Sequence, residues 1–445
     1  MMNAGPFDNL PPLSKSDALR ILKTPIKDLA LSSDYYKAVF HLSKYYCSES
    51  EKALLDLVKS DSKEASVLLA KRKAIEVLGR MKCKKAIPYI GKTLNSSDPF
   101  IVENSAWALQ EIGCNNIDFH NCIGSLLDNP NHNHRVLIQS LAKMNAITQL
   151  SKIEKVYYKD NISPGIKGAS IAAIKILTGK LSDTDLLRNY LDLDNQNDRQ
   201  AAVQDVIDSQ AYKLLGYVLK TPISPFFRIR ALDLLWPKIQ SEFLEFNILN
   251  SIEFVLLDDP REVRLIKNKI CSPDVNLLIH DLFSPDFNQC YASLKLLLEQ
   301  KPSEILLALE NNWDKLKKDY GVVYFLVILF RYMDISLLDF KKIGLELIEH
   351  CLDQSWSPFM KFKPQAILLS FQLDTNLFKT NFDNWLDESI SPNWLCRYSA
   401  LMCYERLIEN NKFNIKKDKI LEKKTDSNKF VRLKAKYILK NLFVG

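Results

Sequence analysis

The residues best suited to chemistry lie together in one short stretch, "VENSAWALQEIG". It places Trp107 between two carboxylates, Glu103 and Glu111, each four residues away. Side chains four apart lie on one side of a helix, here beside an apolar stripe of Val102, Ala106 and Leu109. The three residues should therefore border a groove. There the indole offers a stacking face, and a half-buried carboxylate has the raised proton affinity needed to move protons.

The same spacing also has a structural interpretation. Glu103 and Glu111 would pair with Lys73, Arg135 or Lys143 on neighbouring helices, and the indole would cover the seam between them. Spacing alone favours this structural alternative.

The composition narrows the class of protein. The chain has 445 residues, of which 47% are hydrophobic, so it can bury a large core. No G-x-G-x-x-G or P-loop occurs, so neither nucleotide-binding signature supports an α/β enzyme. The longest apolar run, "GVVYFLVILF", is about half of a membrane span and predicts a buried helix, so no membrane span is expected.

The net charge of +7 is unevenly distributed. The stretch from Lys412 to Lys440 carries 11 Lys and Arg against 3 Asp and Glu, which leaves −1 for the rest of the chain. This end is either a solvated basic cap or a docking patch for an acidic partner. A DNA-binding protein is suggested by charge alone, and we expect no nucleic-acid partner.

Cysteine and histidine spacing argues against a metal site. The nine cysteines are scattered with no C-x-x-C pair, and the first residues lack the apolar segment of a secretory signal. Reduced thiols in a cytoplasmic protein are the simplest interpretation. One cluster matches no standard zinc spacing, and we expect no metal: Cys114, His120, Cys122, His132 and His134.

Apolar residues recur at helical spacing nearly everywhere, and small-residue helices repeat. Similar segments end at Gly79, Gly113, Asn145, Thr178 and Asp208, a period of 30 to 34 residues. This predicts an all-α superhelix, a solenoid of HEAT-like or armadillo type. We divide one continuous solenoid into capping helices (1–51), regular repeats (52–271), longer irregular helices (272–390) and a C-terminal repeat with a basic cap (391–445).

Two segments share a helix-opening pattern, an acid followed by Val-Arg and an apolar run. They are "DDPREVRLI" from Asp258 and "DSNKFVRLKAKYIL" from Asp426, and each acid is expected at or near an N-cap. Aligned on these openings, Glu103 occupies a position where other repeats have arginine.

Shifting by one repeat predicts what flanks the indole. The following helix would place Arg135, Gln139 and Lys143 beside Glu103, Trp107 and Glu111. The preceding helix would place Lys73 beside Trp107, with Arg72 and Glu76 adjacent. An acidic column with an indole would then lie between two basic columns on a concave surface.

The segment "FIVENSAWALQEIG", with "RKAIEVLGRM" upstream and "SPFFRIRALDLLWP" downstream, resembles the phycobilin lyases of the E/F type. The resemblance covers most of the chain, and the length fits the long members that act on phycoerythrin α subunits. Its most specific part is Glu103-Asn104 combined with Trp107 and Glu111. Gln110 departs from the pattern, since the family often has glycine there.

The resemblance implies a lyase that binds an open-chain tetrapyrrole, usually phycoerythrobilin, and attaches it by a thioether to a cysteine of an apo-phycobiliprotein. Some members also isomerise the bilin to phycourobilin. The bilin is the substrate and no cofactor is expected, whereas a second, smaller HEAT-repeat subunit is a possible partner. A non-enzymatic interaction scaffold is the other alternative.

The resemblance also assigns roles. Glu103 and Glu111 are the candidate proton-moving residues, and Trp107 is the stacking platform. The remaining candidate bilin-binding residues are Arg72, Lys73, Asn104, Arg135, Gln139 and Lys143, with Arg230 and Trp236 repeating the basic-plus-indole theme in a later unit.

Overall fold

The computed structural model describes residues 13–180, 183–242, 247–266, 273–334, 338–353, 361–409 and 417–442. All regular secondary structure in these ranges is helical, which confirms the predicted fold class. The chain forms two compact units. The N-terminal unit holds the described residues up to Tyr190 together with Gln204–Ala211, and the C-terminal unit holds Leu191–Val203 and the described residues from Tyr212 onward.

The N-terminal unit consists of helix pairs. Its helices are α1 (Lys15–Lys23), α2 (Asp34–Leu42), α3 (Ser48–Lys59), α4 (Ala65–Arg80), α5 (Ile87–Thr93), α6 (Pro99–Ile112), α7 (Ile117–Leu126), α8 (His134–Lys143), α9 (Leu150–Tyr157), α10 (Pro164–Thr178), α11 (Leu187–Tyr190) and the last turn of α12 (Gln196–Asp208). The repeated segments lie on α4, α6, α8, α10 and α12. In the series α4, α6, α8 and α10, each helix packs against the next. Helices α5, α7 and α9 each pack against the repeated helix that follows them in the chain, which is α6, α8 and α10 respectively.

A left-handed residue marks the end of each repeated helix. These residues are Lys82, Gly113, Asn145, Gly179 and Gln210, with φ between 52° and 78°, and they recur every 31 to 34 residues. After four of them the next backbone N–H bonds back to a carbonyl five residues earlier, as from Cys114 to Leu109 at 3.0 Å. The predicted repeat period is confirmed.

The predicted register between the first two repeats was wrong by three residues. It equated Gly79 with Gly113, but Gly79 lies inside α4, which continues until the left-handed Lys82. The two glycines serve different purposes. A Cβ on Gly79 would lie 2.9 Å from Ala108 Cα, whereas Gly113 adopts the φ of 78° that L-residues disfavour. Counted from the left-handed residues, Trp107 corresponds to Glu76.

The C-terminal unit continues the series of helices. They are α13 (Leu215–Lys220), α14 (Pro225–Glu242), α15 (Ile248–Leu257), α16 (Val275–Asp281), α17 (Phe287–Leu297), α18 (Pro302–Leu316), α19 (Tyr320–Tyr332), α20 (Leu338–Asp353), α21 (Lys363–Leu373), α22 (Thr375–Leu386), α23 (Trp394–Glu409), α24 (Lys417–Glu422) and α25 (Lys429–Leu442). The apolar run lies in α19 and is buried, as expected. None of the helices described here has the length and apolarity to cross a membrane. The proposed division into four segments stays a prediction.

One predicted helix opening is absent. Asp258 is the left-handed residue that ends α15, with φ of 45°, and residues 259–266 form turns and irregular backbone. Its buried carboxylate accepts hydrogen bonds from Arg228 (2.7 Å), Tyr291 (2.7 Å) and Tyr324 (2.5 Å). The three side-chain donors satisfy this buried carboxylate. Asp258 thus links α14, α17 and α19 to the end of α15 and is not the N-cap of a following helix.

The second predicted opening is confirmed, with a different cap. Helix α25 begins after Asp426, but the side chain that accepts its first N–H groups is Asn428, from Phe430 at 2.8 Å. The buried Asp426 carboxylate instead pairs with Arg397 through two bonds of 2.8 Å.

Candidate functional site

Trp107 lies over the seam between α4 and α6. Its indole is half-buried against the core of the N-terminal unit, and Cζ3 would lie 3.1 Å from a Cβ on Gly79. The fully buried Val102, Ala106 and Leu109 confirm the predicted packing stripe. The indole thus borders that stripe and stays partly exposed.

Arg80 stacks on this indole. Its guanidinium carbon lies 5.6 Å from the ring centroid of Trp107, within cation–π range. Nε donates to Glu76 at 2.9 Å, and about half of the Arg80 side chain (52%) is exposed. Within the described ranges its two terminal nitrogens have no hydrogen-bond partner. Arg80 is not among the site residues predicted from the sequence, although the Glu76–Arg80 spacing of four was a signal.

Glu103 faces the start of the next repeated helix. Its carboxylate lies beside Asn133, the N-cap of α8, where the helix dipole favours negative charge. Burial raises the pKa of Glu103, and the neighbouring Asn133 and His132 oppose the rise. Among the described residues, Nδ1 of His132 is buried and has no hydrogen-bond partner.

Glu103 lies at a position that is charged in three successive repeats. Arg72, Glu103 and Arg135 each lie ten residues before a left-handed residue, so both neighbouring repeats have an arginine there, whereas α10 and α12 have Ala169 and Gln200. Arg72 donates bonds of 2.9 and 2.7 Å to Asp98, the N-cap of α6. Where the next N-cap is the neutral Asn133, a carboxylate fits in place of the guanidinium.

The guanidinium of Arg135 is already hydrogen-bonded to other residues of the N-terminal unit. It donates to both carboxylate oxygens of Asp205, at 2.7 and 2.9 Å, and to the backbone oxygen of Gly165 at 2.5 Å. Asp205 is 1% exposed and lies against α10, where a Cβ on Gly168 would come within 2.3 Å of its Oδ2. Burial raises the pKa of Asp205 to about 6, against the opposing effect of Arg135. A ligand carboxylate reaches this guanidinium only by displacing Asp205.

The two predicted lysines also have protein partners. Lys73 donates to Glu76 at 2.9 Å, and its Nζ lies 5.9 Å from the Phe40 ring centroid, so it faces α2. Lys143 Nζ lies 3.9 Å from Asp208. Neither carboxylate beside Trp107 forms an ion pair with Lys or Arg in the described ranges. The cross-helix pairing expected under the structural alternative is therefore wrong, although the indole does cover the seam.

The remaining candidates of this unit lie on the same helices. Asn104 Nδ2 donates to the backbone oxygen of Arg72 at 3.3 Å, so it ties α6 to α4. Glu111 accepts from the adjacent Gln110 at 3.0 Å. Gln139 is half-exposed on α8. The roles of all predicted site residues stay predictions.

Arg230 and Trp236 belong to the C-terminal unit. Both lie on α14 and are half-buried. The Trp236 ring packs edge-on against Phe430, with centroids 5.9 Å apart, and Lys429 Nζ lies 5.4 Å from it. The packing of Trp236 thus joins α14 to α25.

In the cysteine and histidine cluster, two of the histidines contact backbone oxygens. His120 Nε2 lies 3.0 Å from the backbone oxygen of Cys114, and His134 Nε2 lies 2.9 Å from that of Asn129. Across the described ranges, no three His, Cys, Asp or Glu side chains come together as metal ligands would.

Stacked helix pairs with left-handed caps define a helical repeat protein. One face of its N-terminal unit carries the indole of Trp107, the guanidinium of Arg80 and the carboxylate of Glu103. No protein-family model matches the chain. The "Bilin biosynthesis protein CpeY" of Synechococcus sp. (strain WH8020) is 30% identical over 379 residues, which are 85% of this chain and 90% of that protein. The chain therefore belongs to the bilin lyases of the E/F type, and the resemblance seen in the sequence is confirmed.

Two further proteins are similar to the chain. The "Uncharacterized phycocyanin operon protein Y" of Pseudanabaena tenuis (strain PCC 7409) is 31% identical over 324 residues, 72% of this chain and 77% of that protein. The structure of the complex of CpcE and CpcF of phycocyanin lyase from Nostoc sp. PCC7120 includes a chain that is 20% identical, with a TM-score of 0.48. The match covers 57% of this chain and 99% of that one.

Proposed function

We propose that this chain attaches phycoerythrobilin through a thioether to a cysteine of an apo-phycobiliprotein, the α subunit of phycoerythrin. Membership of the bilin lyases supports the reaction class. The observation that carries the site is the stack of Arg80 on Trp107 beside Glu103, because it offers a conjugated dicarboxylate an aromatic edge, a cation and a proton-moving group.

In this proposal Arg80 takes the role that the sequence predicted for other cations. Its terminal nitrogens can donate two parallel hydrogen bonds to one bilin propionate. Arg72 and Arg135 are each held by an aspartate through two hydrogen bonds, so a propionate there would have to break an existing pair. Lys143, whose side chain is 40% exposed and only 3.9 Å from Asp208, supplies a weaker point charge for the second propionate, whereas Lys73 faces α2 and is held by Glu76.

The chemistry is an addition with no leaving group. The S–H of the partner's cysteine adds across the ethylidene double bond of the bilin. Sulfur bonds to the exocyclic carbon, and the ring carbon gains the proton. The chain supplies no nucleophile. Its work is to hold the bilin in the reactive orientation and to move the proton. Glu103, in its ionised form, accepts the thiol proton and returns it to the ring carbon, and Glu111 is the second candidate for this transfer.

Co-expression tests the proposal. The chain is produced with the enzymes of bilin synthesis and with each candidate apo-subunit in turn. Covalent attachment is read from the absorbance spectrum and the mass of the denatured subunit. We expect attachment with the wild type and its loss with Trp107→Ala. No attachment to any subunit, with the bilin present, would reject the proposal.

The same spectra address three finer points. A phycourobilin spectrum would identify a lyase-isomerase, and attachment only after a second, smaller HEAT-repeat subunit is added would identify a two-subunit enzyme. A scaffold would show neither bilin binding nor attachment. We place the reaction in the cytoplasm, where the thiols of both proteins stay reduced.

A further inference from the structure

A cavity lies at the start of the N-terminal unit, between α1, α3 and the first turn of α4. Its volume is about 570 Å³, within the range of small-molecule sites. Its lining includes four aliphatic side chains, those of Leu22, Ile26, Leu57 and Val67, together with the ring of Tyr35. Nothing in the attachment reaction described above uses this cavity.

Two of the three acidic residues at the rim of the cavity pair with lysines that do not line it. Glu49 accepts from Lys15 at 2.5 Å, and Lys15 holds the pKa of Glu49 below its usual value. Asp56 lies 3.8 Å from Lys59. Neither Lys15 nor Lys59 lines the cavity, so their charges compensate these two carboxylates without entering it.

The two basic residues at the rim are not held in ion pairs. Lys23 and Lys52 line the cavity, and neither forms an ion pair in the ranges that the structure describes, although Lys23 is near enough to Glu49 to help lower its pKa. Glu64 is the one rim acid with no ion pair in those ranges. The cavity therefore presents two cations for ligand carboxylates and one acceptor for ligand N–H groups, together with apolar side chains.

We propose that this cavity binds an open-chain tetrapyrrole, separately from the Trp107 face. A bilin has an apolar conjugated body, two propionates for Lys23 and Lys52, and pyrrole N–H groups for Glu64. The choice of ligand rests on the proposed function, but the cavity and its charges do not. Helix α4 contributes Val67 to the cavity and Arg80 to the Trp107 face, and 13 residues at 1.5 Å each separate the two by roughly 20 Å. One chain then holds two bilins.

The experiment is an absorbance titration of the full-length chain with phycoerythrobilin, to give the number of bound molecules. We expect two for the wild type and one for the double variant Lys23→Glu/Lys52→Glu, with affinity at the cavity reduced about tenfold or more. Ala53→Phe fills the cavity without changing its charge and should also leave one. Lys63→Glu, an exposed lysine that does not line the cavity, is the control and should keep two.

The outcomes separate this proposal from the attachment function. One bilin in the wild type, unaffected by the lysine pair and by Ala53→Phe but lost with Trp107→Ala, overturns the cavity and leaves the lyase intact. One bilin lost with the lysine pair and with Ala53→Phe supports the cavity. Attachment is scored separately by co-expression, so two bound bilins without attachment would support the cavity while rejecting the attachment function.

Discussion

The guanidinium of Arg80 on α4 lies 5.6 Å from the indole of Trp107 on α6. These residues are 27 positions apart in the chain. The contact exists because Gly79, next to Arg80, lets the two helices approach until Ala108 Cα lies 2.9 Å from where a Cβ would be. The close approach of two backbones thus determines which cation reaches the indole.

Arg80→Gln should weaken bilin binding about tenfold, since it removes the cation and its paired donors while keeping most of the side chain. The dissociation constant is measured by absorbance titration in the Lys23→Glu/Lys52→Glu background, which reports one site. Lys85→Gln, an exposed lysine after α4, is the control and should have no effect. Equal affinity in both variants would remove Arg80 from the site.

Gly79→Ala should destabilise the fold by about 1–3 kcal/mol, because the added methyl group collides with the backbone of Ala108. Urea unfolding followed by circular dichroism measures the change. Gly216→Ala is the matched control, since a Cβ there meets no atom within 4 Å. Helix propensity predicts that the control is neutral or more stable by up to about 1 kcal/mol. A Gly79 variant as stable as wild type would contradict the close packing of α4 on α6.

Asp205→Ala should cost about 3–5 kcal/mol of unfolding free energy, since it leaves the guanidinium of Arg135 without its buried carboxylate. Replacing both partners, as Arg135→Met/Asp205→Leu, should cost much less, because no uncompensated charge remains. The comparison uses the same urea unfolding. If the double variant is less stable than Asp205→Ala, the pair contributes a net stabilisation that burial does not cancel.

The stability of the pair should depend on pH in a defined direction. Burial raises the pKa of Asp205 in the folded chain to about 6, against about 4 for an unfolded aspartate. The folded state therefore binds the extra proton, and the contribution of Asp205 is present below about pH 4 and lost as the pH rises through 6. Relative to Arg135→Met/Asp205→Leu, the wild type should lose stability over this window. A gain over the same window would show that Arg135 dominates the pKa.

Glu103→Gln should slow attachment by about 10²-fold or more while leaving bilin affinity nearly unchanged, as expected for a proton-moving group. The ionised form is the base, so the wild-type rate should fall as the pH drops through the pKa of Glu103. Because burial raises that pKa, the fall begins at a higher pH than for an ordinary glutamate. Single-turnover attachment rates across pH measure both effects. Glu111→Gln is the comparison, and a rate loss confined to it would reassign the proton transfer.

The predictions made from sequence succeeded where local pattern determines the structure. Helical periodicity gave the fold class, and small-residue segments gave the repeat period, now marked by residues such as Gly113 and Asn145. The stripe of Val102 and Ala106 is buried as predicted, since side-chain spacing alone places residues on a helix face. The match of Glu103 to Arg135 was also visible in the sequence alone, whereas its match to the Val-Arg of "DDPREVRLI" was wrong, because residues 259–266 form no helix.

Which side chains contact each other between neighbouring helices was decided only by the tertiary structure. Gly79 and Gly113 look alike in sequence, yet one permits a close helix contact and the other a left-handed cap. Because of that difference, the cation that contacts Trp107 is Arg80 and not the predicted Lys73. In the same way Arg135 is engaged by Asp205, 70 residues further on. A helical pattern specifies which face a residue lies on. Which side chain meets it across a seam depends on helix ends and on how closely two backbones approach, and these depend on the packed structure.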